Sequence, residues 1–188
     1  NGESLIHPSD EKARERILTV EEEERLLAAC SDQRAHIRPI VIAALDTGMR
    51  IGEILKLTWS DVDLENQIIT VRAFNTKTMR ARYLAMTPRL FSALSNLYES
   101  SNKNLEDLVF GITNTIKTAF NSARADAGLH DVRFHDLRHT AATRLVQGHL
   151  PLSEVGRILG HTQPSTSYRY VNANLETARR AADVLAVF

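Results

Sequence analysis

Cysteine is almost missing from this 188-residue sequence. Cys30 stands alone, which excludes an internal disulfide and any cysteine-cluster metal site. Its place on the apolar face of a predicted helix reads as a buried, inert thiol. Long apolar runs are also missing. No stretch reaches the roughly 18 apolar residues that a membrane-spanning helix needs, and no basic segment leads into a short apolar one as in a signal peptide. The expected location is therefore the cytoplasm, without a membrane partner. A net charge is absent too: 23 Lys and Arg balance 23 Asp and Glu. A uniformly basic nucleic-acid binder is thereby excluded, because such proteins draw their affinity from an excess of cations over the phosphates.

What is present is a hydrophobic share of 43%, enough at this length for one substantial core and too little for two large ones. The opening stretch NGESLIHPSDEKARER is polar and has no apolar period. Residues 1–16 read as a linker remnant, residues 17–188 as one domain, and an N-terminal partner domain is expected to be absent from the sequence given. The balanced charge is unevenly spread. Residues 1–65 carry 8 basic and 14 acidic side chains, 66–98 carry 5 and 0, 99–132 carry 3 and 5, and 133–188 carry 7 and 4. Two positive blocks alternate with two negative ones, a pattern that ordinary solvated surface also produces.

Periodicity predicts a mainly α fold with a small antiparallel β-sheet, an α+β domain. Thr19 and Glu22 form a capping box ahead of a helix over 20–30. Residues 37–45 are apolar almost all round and predict a central buried helix ending at Gly48. A further helix is expected over 51–57. SDVDLENQ is turn chemistry, and QIITVRAF and ARYLAM read as two strands joined through NTKTMR. DLVFG suggests a third short strand. Pro88 opens a helix, and others are expected over about 114–127, 135–147, 152–159 and 175–187. The apolar face of the last, with Leu175, Ala178, Ala182 and Leu185, must be covered either by the chain's own core or by a neighbouring protomer.

Three segments concentrate polar residues that a core does not explain. TGMRIGE places Arg50 and Glu53 one helical turn apart, so that the carboxylate can hold the guanidinium. HDLRHT places His135, Arg138 and His139 on one side of a helix whose buried stripe is Phe134, Leu137, Ala141 and Leu145. The i, i+4 histidines also have zinc-site spacing, but Asp136 replaces the glutamate of the usual motif, and Arg138 would set a fixed positive charge beside a dication. LGHTQPSTSYRY puts His161 just after the cap glycine Gly160, with Tyr168 and Tyr170 beyond. Taken alone, QGHLPLSEVGRILGHTQPSTSYRY also fits a helix-turn-helix.

Together these segments resemble the tyrosine recombinase (phage integrase) family's catalytic domain. TGMRIGEIL is similar to its first arginine box, HDLRHTAAT to its histidine and arginine box, and LGHTQPSTSYRYV to the box that ends in the nucleophile. NTKTMRARYLAM resembles the hairpin that carries its lysine, and the likeness spans about residues 17–175. The resemblance implies Tyr170 as nucleophile, nine residues beyond His161, and Tyr168 as a packing or DNA-facing aromatic. It implies Arg50, Arg138 and His161 as phosphate-binding groups, His135 as the group that accepts or positions the phenolic proton, and Glu53 as the support of Arg50. Lys77 is implied as the general acid, with Arg80 and Arg82 as competitors. Asn172 departs from the basic or histidine residue that members often carry two positions after the tyrosine.

The chemistry suits these groups. Attack on a phosphodiester builds negative charge on phosphorus, which preorganised guanidinium donors stabilise. Tyrosine, with an ordinary pKa of about 10, needs help to lose its proton, and a 5′-oxygen leaves readily only when protonated. The implied activity is site-specific cleavage and rejoining of duplex DNA through a 3′-phosphotyrosyl link, with no cofactor and no metal. The implied assembly is a tetramer on paired sites, with DNA-bending accessory proteins and a nucleoid location. Type IB topoisomerase-like relaxation, a non-catalytic helix-turn-helix regulator and a metal-dependent phosphoesterase are the competing readings.

Overall fold

The computed structural model describes residues 16–72, 81–160 and 175–188. Helix α1 (Val20–Ala29) starts where the sequence places it. The Glu22 amide donates to the Thr19 hydroxyl at 3.2 Å, and the Thr19 amide donates to the Glu22 carboxylate at 3.0 Å. A 3₁₀ turn over Asp32–Ile37 leads into α2 (Arg38–Thr47), in which every residue from Ile40 to Thr47 is buried. A helix apolar on all sides has to be surrounded, and α2 is packed by helices from both halves of the chain. It ends at Gly48, whose φ of +65° is left-handed and whose missing Cβ would lie 2.3 Å from a Leu159 methyl. Glycine is required there twice over, by the turn and by the close approach of a later helix. Cys30 is buried, and desolvation pushes its thiol up to about 11.

Helix α3 (Ile51–Ile54) is a single turn, shorter than the predicted 51–57. The sheet follows, built from β1 (Val62–Asp63), β2 (Ile68–Val71) and β3 (Arg82–Ala85) in antiparallel order β1-β2-β3. β2 and β3 are the predicted pair. The third strand lies inside the stretch read as turn chemistry, where Asp63 caps the turn through Asn66 and Val62 pairs with Ile69. DLVFG forms no strand: it contributes an isolated bridge between Leu108 and Thr58. Register puts Val71 opposite Arg82 and Ile69 opposite Leu84, so β3 aims an arginine at the same face as a core leucine.

Helices α4 (Pro88–Glu99), α5 (Lys117–Asp126), α6 (Phe134–Gln147), α7 (Leu152–Leu159) and α8 (Leu175–Ala186) complete the described chain. α8 packs on β3 and α6 of its own chain, and Ala178 and Ala182 close over Ile68 and Ala85. Among the described residues no helix is long and apolar enough to cross a membrane.

A second buried feature is an ionic cluster that ties four elements together. Glu23 of α1 accepts from Arg89 of α4 and Arg144 of α6, each at 2.5 Å. Asp46 of α2 accepts from Arg89 and from the Thr87 hydroxyl. Two carboxylates meet two guanidinium groups, and the Phe188 ring covers the Arg144 guanidinium at 5.1 Å. Burying these charges is tolerable only because each finds its opposite.

Candidate active site

A cavity of about 410 Å³ opens beside the α2–α3 turn, with Arg50, Glu53, Lys56, Phe134, His135 and Arg138 among the residues lining it. Residues 50 and 138 are brought together because α6 packs along α2, whose end delivers the first box beside the start of the second.

Glu53 organises one wall. Its carboxylate is 3% exposed and accepts from the Arg50 amide at 2.9 Å and from the Arg50 guanidinium at 3.2 Å. The second partner comes from the sheet: Arg82 donates to both Glu53 oxygens, at 3.2 and 2.6 Å. Burial alone would raise the Glu53 carboxyl, but the hydrogen bonds and charges of Arg82 and Arg50 outweigh it and hold the group below its ordinary value. Glu53 is thus ionised and shared between two arginines. Arg82, one of the competitors for the general-acid role, is corrected by this geometry. Its side chain is 5% exposed, and its guanidinium is committed to Glu53 and to a backbone carbonyl.

Arg138 also departs from expectation. The helical wheel sets it on the open side of α6 with the two histidines, yet it is 5% exposed, wedged between α2 and α7. It donates to the Gly48 carbonyl at 2.6 Å and to the Leu159 carbonyl at 2.8 Å. Desolvation first, and then the positive charges of Arg50 and Arg82, pull its pKa down to about 10 against the opposing pull of Glu53.

The end of α7 is where the three arginines converge. Ile158 O accepts from Arg82 at 2.8 Å, Leu159 O from Arg138 at 2.8 Å, and Gly160 O from Arg50 at 3.3 Å. Three consecutive carbonyls at a helix C-terminus, which carries the negative end of the macrodipole, are each met by one guanidinium. Gly160 itself is left-handed at φ +65°, and a Cβ there would lie 3.0 Å from the Arg82 guanidinium.

His135 stands exposed at the cavity mouth, its ring meeting that of His139 edge-on with centroids 4.7 Å apart. Desolvation, followed by the charges of His139, Arg138 and Arg50, lowers its pKa below the ordinary imidazole value, with Asp136 opposing. A neutral ring at neutral pH can accept a proton. Arg50, Glu53, His135 and Arg138 are therefore gathered at one place, whereas Lys77, His161, Tyr168 and Tyr170 lie outside the described residues. Lys56 in the lining, and Arg82 as a partner of Glu53, are contributions that the sequence reading did not assign.

The model of the phage integrase family matches residues 16–177. This chain belongs to that family. Among its relatives, a shufflon-specific DNA recombinase of Escherichia coli is 30% identical over 99% of this chain and 49% of its own length. The tyrosine recombinase XerA of Thermococcus kodakarensis is 27% identical over 96% of this chain and 66% of the relative. A crystal structure of XerA recombinase matches with a TM-score of 0.67 at 28% identity, covering 87% of this chain and 62% of that one. A lambda integrase dimer bound to a core site shares the fold, with a TM-score of 0.64 at 20% identity over 90% of this chain and 66% of that one. The chain spans about half to two thirds of the length of these family members. The shufflon-specific enzyme and XerA are recombinases by name, and the lambda integrase shares the fold.

Proposed function

We propose that the chain is the catalytic domain of a site-specific recombinase that cleaves and rejoins duplex DNA through a 3′-phosphotyrosyl intermediate. The observation that carries this reading is the charge imbalance at the cavity. Arg50, Arg82 and Arg138 converge on a site where Glu53 is the paired carboxylate, a surplus of positive charge that an entering phosphodiester neutralises. Arg50 is the more accessible donor, at 28% side-chain exposure, and Arg138 is the buried one.

In the proposed reaction the Tyr170 hydroxyl oxygen forms a bond to phosphorus while the bond from phosphorus to the 5′-oxygen breaks. The phenolic proton passes to neutral His135 or is positioned by it, and Lys77 gives a proton to the departing 5′-oxygen. Arg50, Arg138 and His161 donate to the non-bridging oxygens, where charge accumulates. The free 5′-hydroxyl of a partner strand reverses these steps and rejoins the DNA. The phosphate bond is conserved in the covalent link, so no nucleotide is consumed. Four protomers on paired sites, with bending proteins, would supply the strands to be exchanged.

The recognition sequence need not be identified for the test. Nicked duplexes of random core sequence are incubated with the chain at low ionic strength, and covalent adducts are recovered under denaturing conditions and sequenced. The wild-type chain is expected to yield adducts, in EDTA as well as without it, and Tyr170→Phe none, while Tyr168→Phe retains them. An adduct with Tyr170→Phe, or cleavage that needs a divalent ion, would overturn the assignment.

A further inference from the structure

Arg82 does not line the cavity, yet it contacts the support of the residues that do. It sits on the core face of β3, in line with Leu84 and opposite Val71, a place where strands put apolar side chains. A buried arginine is retained there only if its fork finds partners, and each of the three nitrogens here has one. Nη1 and Nη2 engage the two oxygens of Glu53, and Nε engages the Ile158 carbonyl. The turn at Gly160 is built around it, since any side chain at that position would press on the guanidinium.

We propose that Arg82 is a positioning residue for phosphodiester engagement, which keeps Arg50 from being neutralised by Glu53 and fixes the α7 terminus that backs the phosphate site. The charge count gives the reason. With Arg82 in place, Glu53 already has a bidentate partner, and Arg50 retains most of its field for an incoming anion. Without Arg82 the whole carboxylate turns to Arg50, and the site loses both a cation and the freedom of its most accessible donor. The same loss frees the Ile158 carbonyl and loosens the end of α7, whose next two carbonyls hold Arg138 and Arg50.

The inference rests on the strand-transfer reading above, and one experiment separates the two. Duplexes recovered with the wild-type chain are prepared with an ordinary scissile phosphate and with an uncharged methylphosphonate in its place. Single-turnover cleavage is then compared for wild type, Arg82→Met and Arg82→Lys, with folding checked by thermal denaturation. Arg82→Met is expected to lose about 100-fold on the phosphate, in the range found for removal of one electrostatic donor, and under about 10-fold on the methylphosphonate. Arg82→Lys keeps the charge beside Glu53 but not the fork that also reaches the Ile158 carbonyl, and should lose between about 10- and 100-fold on the phosphate and under about 10-fold on the methylphosphonate. Equal losses on the two substrates, or an unimpaired Arg82→Met, would overturn the proposal while leaving the recombinase reading intact. Absence of any wild-type adduct would overturn the reading and the proposal together. Should Arg82→Met fail to fold, Arg82→Lys decides: cleavage within the stated range upholds the proposal, and a folded but inactive protein defeats it.

Discussion

Among the described residues, the ionic cluster around Glu23 and the one around Glu53 differ in their arithmetic. Glu23 and Asp46 meet Arg89 and Arg144, two negative charges against two positive. Glu53 meets Arg50 and Arg82 with Arg138 close behind, one against three. The balanced cluster joins α1, α2, α4 and α6, so each of its charges has an opposite within the fold. The unbalanced one borrows backbone carbonyls from the end of α7 to hold its surplus, and it borders an open cavity. An uncompensated cluster of cations is a cost that a fold has no structural reason to keep, and the proposed phosphodiester site supplies a functional one.

Substitutions can break this contrast in opposite directions. The largest effect is expected from Arg50→Ala, which should lower single-turnover cleavage by about 1,000-fold while leaving the melting temperature nearly unchanged, because the charge removed is a surplus one. Glu23→Ala should do the reverse. It leaves Arg89 and Arg144 facing each other without their shared carboxylate, at an expected loss of about 3 kcal/mol in denaturant unfolding, with cleavage per folded molecule retained. A destabilised Arg50→Ala or a cleavage-defective Glu23→Ala would erase the distinction between the clusters.

A smaller effect tests the packing that holds both clusters in place. Leu185 of α8 is 2% exposed on the chain's own core, and Leu185→Ala should cost about 2–3 kcal/mol in the isolated chain. No measurable loss would mean that α8 is covered by something other than this core. The smallest effect is a shift in pH dependence. His135 is the proposed proton acceptor and its pKa is lowered, so cleavage should persist as pH falls past the ordinary imidazole value and decline only below it. His139→Gln removes one of the positive neighbours that lower it and should move that acid limb upward. An unmoved limb would take His135 out of the proton path.

Much of the site was legible in the sequence because local geometry decides it. The Arg50–Glu53 pair is a one-turn spacing, and Gly48 and Gly160 mark left-handed caps that the structure contains. Arg138 lies on the expected helix and lines the cavity with His135, but it is buried rather than open. A helical wheel gives the direction of a side chain but not the α7 terminus that arrives to bury it. Arg82 had a readable signal, since it alternates with Leu84 on a strand paired with Ile69 and Val71, and an arginine in an inward register implies a buried acid nearby. The strand at Val62–Asp63 was hidden by the turn residues Asp63 and Asn66, whose side-chain hydrogen bonds dominate the local pattern, whereas the apolar run at 108–110 offered a strand that tertiary pairing does not extend.

The proposed phosphodiester site is the unbalanced cluster and not the balanced one. Its most direct test is a titration of the arginine-labelled chain with dimethyl phosphate, the smallest phosphodiester anion, followed through the guanidinium resonances by NMR. Arg50 and Arg138 are expected to shift saturably while Arg89 and Arg144 stay fixed, with the response lost in Arg50→Ala. Equal, non-saturating shifts in both clusters, or no shift at Arg50, would contradict the account.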